Sequence, residues 1–134
     1  MLPVTSIFAA LAVFFYIKLA FGVIRFRRTN KVSLGNASDA TLETRIRQHG
    51  NFGEYVPLAV TLMAIAEFQG APKLWLILLG IAILGGRLCH VYGLDNMRQP
   101  IGLKMRTVGM VSMFMSLTAL SITLILQTLF WQQN

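Results

Sequence analysis

Thr107 to Trp131 reads TVGMVSMFMSLTALSITLILQTLFW, 25 residues without a single charge. At about 1.5 Å per residue a helix of this length reaches roughly 37 Å, further than the ~30 Å hydrocarbon core of a bilayer. The stretch predicts a transmembrane helix, and lipid as the solvent of the fold. The rest of the chain agrees. Of 134 residues 55% are hydrophobic and 13% charged, with a mean hydropathy of +0.63, whereas soluble domains carry about 25% charged residues.

Working outward, the segment from Pro3 is apolar apart from Lys18 until it meets Arg25, Arg27 and Arg28. Leu42 onward reads as a second long helix with a polar start, bent or missing one hydrogen bond at Pro57. Gly70-Ala71-Pro72 is a turn signal before a third apolar segment that carries Arg87 and His90 near its end. The expected architecture is all-α: one integral membrane domain over residues 1–134, an up-down four-helix bundle with spans at about 3–28, 42–69, 73–94 and 103–131. The first segment has no positive n-region and stays apolar past any cleavage site, so it is expected to be retained. Cys89 is the sole cysteine, which excludes an intrachain disulfide and leaves the redox compartment open.

Charge orients the bundle. Arg25, Arg27, Arg28, Lys31, Arg45, Arg47, Arg98, Lys104 and Arg106 flank the first and third loops, and Lys73 stands alone on the other side. The positive-inside rule puts those loops in the cytoplasm and both termini opposite. Trp75 and Trp131 then fall at the outer end as interfacial anchors. The net charge of +7 reads as attraction to lipid phosphates; nucleic acid is excluded as a partner because no soluble domain exists to bind it. Gly109, Ser112, Ser116 and Ala119 share one helical face, which lets helices approach closely in lipid.

The second span begins, the third ends and the fourth begins at the same end of the bundle, and these ends carry the polar residues. Glu43, Arg47, Asn51 and Glu54 are spaced four, four and three apart, on one helix face. Arg87 and His90 are three apart. Charges at membrane depth usually face an interior site. Arginine forks, an amide and a carboxylate suit a small anion that also carries an amine. The alternative is that Glu43–Arg47 and Glu54–Arg87 pair as structural braces.

The run Glu43-Thr-Arg-Ile-Arg-Gln-His-Gly-Asn-Phe-Gly-Glu54, followed by Tyr55 and Pro57, resembles the signature of the MAPEG family, membrane-associated proteins in eicosanoid and glutathione metabolism. Gly86-Arg87-Leu-Cys-His90, Ile24-Arg25-Phe-Arg27-Arg28 and Pro100-Ile101 resemble further family segments, in order and at matching spacing. The resemblance implies a homotrimer that binds glutathione between subunits near the cytoplasmic face. It assigns glutathione contacts to Arg25, Arg47, Asn51, Glu54 and His90, with His49, Arg87 and Tyr92 also in the candidate set, and it implies no metal. Catalytic members hold the thiolate with an arginine two residues after the proline of the fourth span. That position here is Gly102, and the family's third-span tyrosine falls at Leu94, with Tyr92 off-register. Arg106, four residues past Gly102 on the same face, is the expected substitute.

Three classes of function follow. One is a glutathione-dependent transferase or peroxidase acting on lipophilic electrophiles that partition from the bilayer. A second is a non-catalytic lipid- or glutathione-binding protein of the same fold. A small transporter is disfavoured, because the first span offers Lys18 rather than a carboxylate. A bacterial inner membrane is the expected setting.

Overall fold

A computed structural model describes residues 1–131 as four helices: α1 (Pro3–Asn30), α2 (Ala40–Phe68), α3 (Lys73–Asp95) and α4 (Pro100–Trp131). The side chain of Trp131, and with it one of the two expected anchors, lies outside the described residues. Successive helices run antiparallel, as the cross-helix contacts show. Glu67 meets Val4 and Thr5, and Arg45 meets Gly22; Gln48 meets Val91 and Asp95; Trp75 meets Thr123, and Ser112 meets Ala82. One end of the bundle therefore gathers the end of α1, both ends of the 31–39 loop, the end of α3 and the start of α4. It is called here the basic end.

Local chemistry sets the boundaries. Asp39 caps α2, its Oδ1 accepting from the Leu42 N–H at 2.8 Å, with Glu43 in the first turn where the helix dipole favours an anion. α2 gives way to α3 through Gly70, whose φ of 86° suits glycine, and Pro72. The helix runs on through Pro57, whose missing N–H forfeits one backbone bond. α1 starts with Pro3 and has no side-chain cap of its own. Instead Glu67 reaches across from α2, and its two oxygens accept from Val4 N at 2.9 Å and Thr5 N at 2.7 Å. Gln127 performs the converse service for α2, donating to the carbonyls of Ala66 and Gln69. Free backbone groups at helix ends are costly away from water, so these two contacts close the same end of the bundle.

α1, α3 and α4 are long and apolar enough to cross a membrane. The packing is that of a protein solvated by lipid. Phe14, Phe21, Leu88, Met115 and Leu129 point outward, while Ala59, Met63, Ala66, Leu76, Met113 and Leu120 fill the interior. Without a hydrophobic difference between core and solvent, the helices rely on close approach.

The closest approach is between α3 and α4. A Cβ on Gly86 would lie 2.9 Å from the Ser112 side chain; one on Gly93 would strike the Arg106 backbone; one on Gly109 would strike the Gly86 carbonyl and sit 2.7 Å from the His90 Cβ. Ser112 Oγ donates to the Ala82 carbonyl at 2.8 Å across the same seam. The small-residue face expected on α4 is thus the surface on which α3 rests. Gly80 serves α1 in the same way, leaving room for the Phe8 ring, which a Cβ would meet at 2.5 Å.

Gly109→Val should destabilise the protein by about 1–3 kcal/mol or more, because backbone must move, read as a lower thermal unfolding midpoint in detergent. Gly85→Ala, where nothing lies within 4 Å, should hold or raise it, since glycine inside a helix is about 1 kcal/mol worse than alanine. Equal effects from the two would contradict the seam.

Candidate functional site

The first half of α2 presents its polar residues on three sides. Toward α1, Arg45 Nη1 donates to the Gly22 carbonyl at 2.9 Å and its guanidinium lies 5.5 Å over the Phe26 ring. His49 stacks on Tyr16, with centroids 4.5 Å apart, and Gly53 makes room for that ring, 3.3 Å from where a Cβ would stand. Toward α3, buried Gln48 donates to the Val91 carbonyl at 3.0 Å and to Asp95 Oδ1 at 2.7 Å. The third side faces out of the bundle. It carries Glu43, Arg47 and Glu54, all exposed, with Asn51 half-buried among them. Asn51 Nδ2 donates to the Arg47 carbonyl at 2.9 Å, which leaves its amide oxygen free to accept.

Arg87 and His90 belong to a different environment. Both are buried, each 3% exposed, where α3 meets α4. Arg87 Nη2 donates to the Gly109 carbonyl at 3.0 Å, and the guanidinium lies 5.7 Å over the Tyr55 ring. Its Nε has no hydrogen-bond partner. The brace considered between Glu54 and Arg87 is therefore replaced by a carbonyl and an aromatic face, because Glu54 projects outward and Arg87 inward. Glu43 is met by the Asn36 amide at 3.4 Å. Within one chain, then, Arg47, Asn51 and Glu54 face outward while His90 faces the α3–α4 seam.

The other candidates divide as well. Arg25 is exposed near the end of α1. Tyr92, two residues past His90, is 50% exposed and points away from the seam. Arg106 is half-buried at the basic end, its Nη1 3.9 Å from Met97 Sδ. Gly102 has a physical reason to be glycine. Gln99 N bonds to Asn96 O and Gly102 N to Gln99 O, and this tight turn presses Gly102 onto the Asn96 carbonyl, where a Cβ would collide. No arginine fits that position on this backbone.

Two openings are lined by other residues of α2. An apolar groove of about 230 Å³ runs between α1 and α2, lined by Ala9, Ala12, Val13, Phe52, Val56, Pro57 and Val60 and ending at Tyr16. A polar cleft of about 520 Å³ lies at the basic end, lined by residues that include Thr41, Thr44, Arg45, Asp95 and Arg98. Among the described residues no group of three or more His, Cys, Asp or Glu side chains is placed to hold a metal ion. Sequence reasoning passed over Gln48, Glu67 and Tyr16. Gln48 lies inside the motif, and its two neighbours at odd numbers drew the attention; Glu67 read as a boundary residue rather than a cap.

Comparison with known proteins adds a family. The profile of the MAPEG family matches residues 5–126. The chain is similar to the inner membrane protein YecN of Escherichia coli strain K12, 38% identical over 93 residues, covering 69% of this chain and 71% of that one. The same protein from Escherichia coli O6:H1 matches to the same extent. No solved structure matches.

Arg87 gives a test of what holds the site together. A buried cation without a carboxylate partner loses more hydration than one carbonyl and one ring restore. Arg87→Met should therefore leave the stability within about 1 kcal/mol of the parent or raise it, read from the thermal unfolding midpoint in detergent. A loss of about 3 kcal/mol would show that the guanidinium stabilises the seam.

Proposed function

The chain belongs to the MAPEG family, and from that premise we propose that it is a glutathione-dependent membrane transferase or peroxidase acting on lipophilic electrophiles. The observation that carries this reading is the outward stripe of α2. A cation, an amide and a carboxylate, Arg47, Asn51 and Glu54, stand exposed or half-buried on one face of a helix in a multi-pass membrane protein. Such groups are costly against lipid and call for a polar occupant. Glutathione offers two carboxylates for Arg47 and Arg25, an ammonium for Glu54 and peptide groups for Asn51.

In this reading α2 crosses the bilayer with the other three helices, loops one and three are cytoplasmic, and the membrane is a bacterial inner membrane. The stripe faces a second copy in a homotrimer, so that the tripeptide lies between subunits, with His49 and Tyr92 at its margins and His90 and Arg87 behind it. The apolar groove ending at Tyr16 supports an electrophile arriving from lipid, because its lining is apolar and its end is polar.

The chemistry asks for a thiolate. A free thiol ionises near pH 8.5, and lowering that by about 2 units requires roughly 2.7 kcal/mol. A guanidinium about 4 Å away supplies up to about 4 kcal/mol at an effective dielectric near 20, before desolvation. Arg106 is the candidate, lying at the basic end where α4 begins. The thiolate sulfur bonds to the electrophilic carbon as the bond to the leaving group breaks and its electron pair departs with that group. With a hydroperoxide it takes the terminal oxygen as the O–O bond breaks, the alkoxide takes a proton from water, and a second glutathione thiol reduces the sulfenic acid to the disulfide and water.

The collision at Gly102 favours a second reading, a glutathione- or lipid-binding member of the family without turnover. Two measurements separate them. Arg47→Gln should weaken glutathione binding, read by calorimetry, by about 10- to 100-fold, the loss of one charged hydrogen-bond pair; unchanged affinity would remove the stripe from the site. Arg106→Ala should abolish conjugation of a chromogenic electrophile while glutathione still binds. Wild-type protein that binds glutathione and never turns over would establish the second reading.

A further inference from the structure

α1 carries a second pattern that the glutathione site does not use. Phe14, Ile17, Phe21, Ile24 and Arg28 are spaced three, four, three and four, so they form one continuous stripe along the helix, and Lys31 follows at its C-cap. Every one of them is exposed: Phe14 72%, Ile17 44%, Phe21 63% and Ile24 44%, with both cations open as well. The apolar part, Phe14 to Ile24, is about 15 Å long, and the cations follow directly. The stripe thus has a long apolar section and a positive head.

The head is an open hollow at the end of the helix. Lys31 takes a left-handed conformation, φ 54°, and its N–H caps the helix at the Arg27 carbonyl, which also accepts from Val32 N at 3.0 Å. The chain therefore folds back, and Arg27 Nη1 reaches the Ser33 carbonyl at 3.3 Å. The result is a cavity of about 380 Å³ lined by Ile24, Arg27, Arg28, Lys31, Val32 and Ser33. Three cations line it, and no carboxylate does.

We propose that this stripe binds one anionic phospholipid, its phosphodiester held by Arg28 and Lys31 against the Arg27 wall and one acyl chain lying along Ile24, Phe21, Ile17 and Phe14. Charge and polarity match end to end: an anion on the cationic head, hydrocarbon on the apolar length. A zwitterionic phospholipid matches the apolar length, but its ammonium meets the same three cations. Cations near an anionic headgroup each change binding on the order of fivefold, and three of them around one hollow add site preference to that general attraction.

The test uses full-length protein in lipid nanodiscs or detergent, with dioleoyl phosphatidylglycerol and dioleoyl phosphatidylcholine as probes, and counts bound lipid by native mass spectrometry. The wild type should retain phosphatidylglycerol in preference to phosphatidylcholine. The double variant R28Q/K31Q should lose that preference by about tenfold or more, while R98Q/K104Q, which removes the same charge at the same end of the bundle, should keep it. Circular dichroism checks that both variants remain helical. Equal losses in the two double variants would mean general electrostatics and overturn the site. So would a wild type without preference, or an R28Q/K31Q variant whose oligomeric state changes while its lipid selectivity does not, which would make the stripe a contact between copies.

Discussion

Backbone against backbone, α3 and α4 approach as closely as they do because glycine stands wherever a side chain would intervene. In lipid the interior of a bundle is no more apolar than its surroundings, so helices are held by close packing and by polar contacts that lipid cannot replace. Gly86, Gly93 and Gly109 supply the first. Ser112 to Ala82 and Trp75 to Thr123 supply the second along the same seam. This pairing orders the polar groups that lie between α3 and α4. It fixes Arg87 and His90 inside and leaves α2, more loosely flanked, to carry its charges on the outside.

The gross fold is legible in the amino-acid sequence because lipid imposes a simple requirement. Runs such as Thr107–Trp131 have no other use, and Gly70 with Pro72 marks the reversal between α2 and α3 plainly. The four small residues on α4 were readable as a packing face because spacing alone defines such a face. The ties between helix ends were not readable. Glu67 caps α1 across more than sixty residues of sequence separation, and nothing local distinguishes a capping glutamate from one that marks an edge.

At the candidate site the shared faces were legible in the sequence and their directions were not. Spacing placed Arg47, Asn51 and Glu54 on one face, as the helix shows, but periodicity does not say whether that face turns inward. Arg87 and His90 are also correctly a pair, and they turn the other way. The difference arises from what lies between: Gln48 and Phe52 hold the inner side of α2, so the charged face has only the outside left. Gly102 illustrates the opposite case. Sequence comparison marked it as a missing arginine, whereas the turn through Asn96 and Gln99 gives a local reason for the absence. Chain geometry and catalytic pattern conflict there, which is why activity and binding are separate questions in this protein.

α2 with its polar outer stripe and α1 with its apolar stripe and cationic head present two surfaces that bare hydrocarbon does not satisfy. In the proposed function glutathione between copies answers the first, and in the proposed lipid site an anionic phospholipid answers the second. The most direct measurement for the first is labelling by a photoreactive glutathione analogue in native membranes, with the modified peptides identified by mass spectrometry. The account predicts label within residues 43–54, suppressed by excess glutathione. Label confined to α4 or to the 31–39 loop, with residues 43–54 untouched, would contradict it.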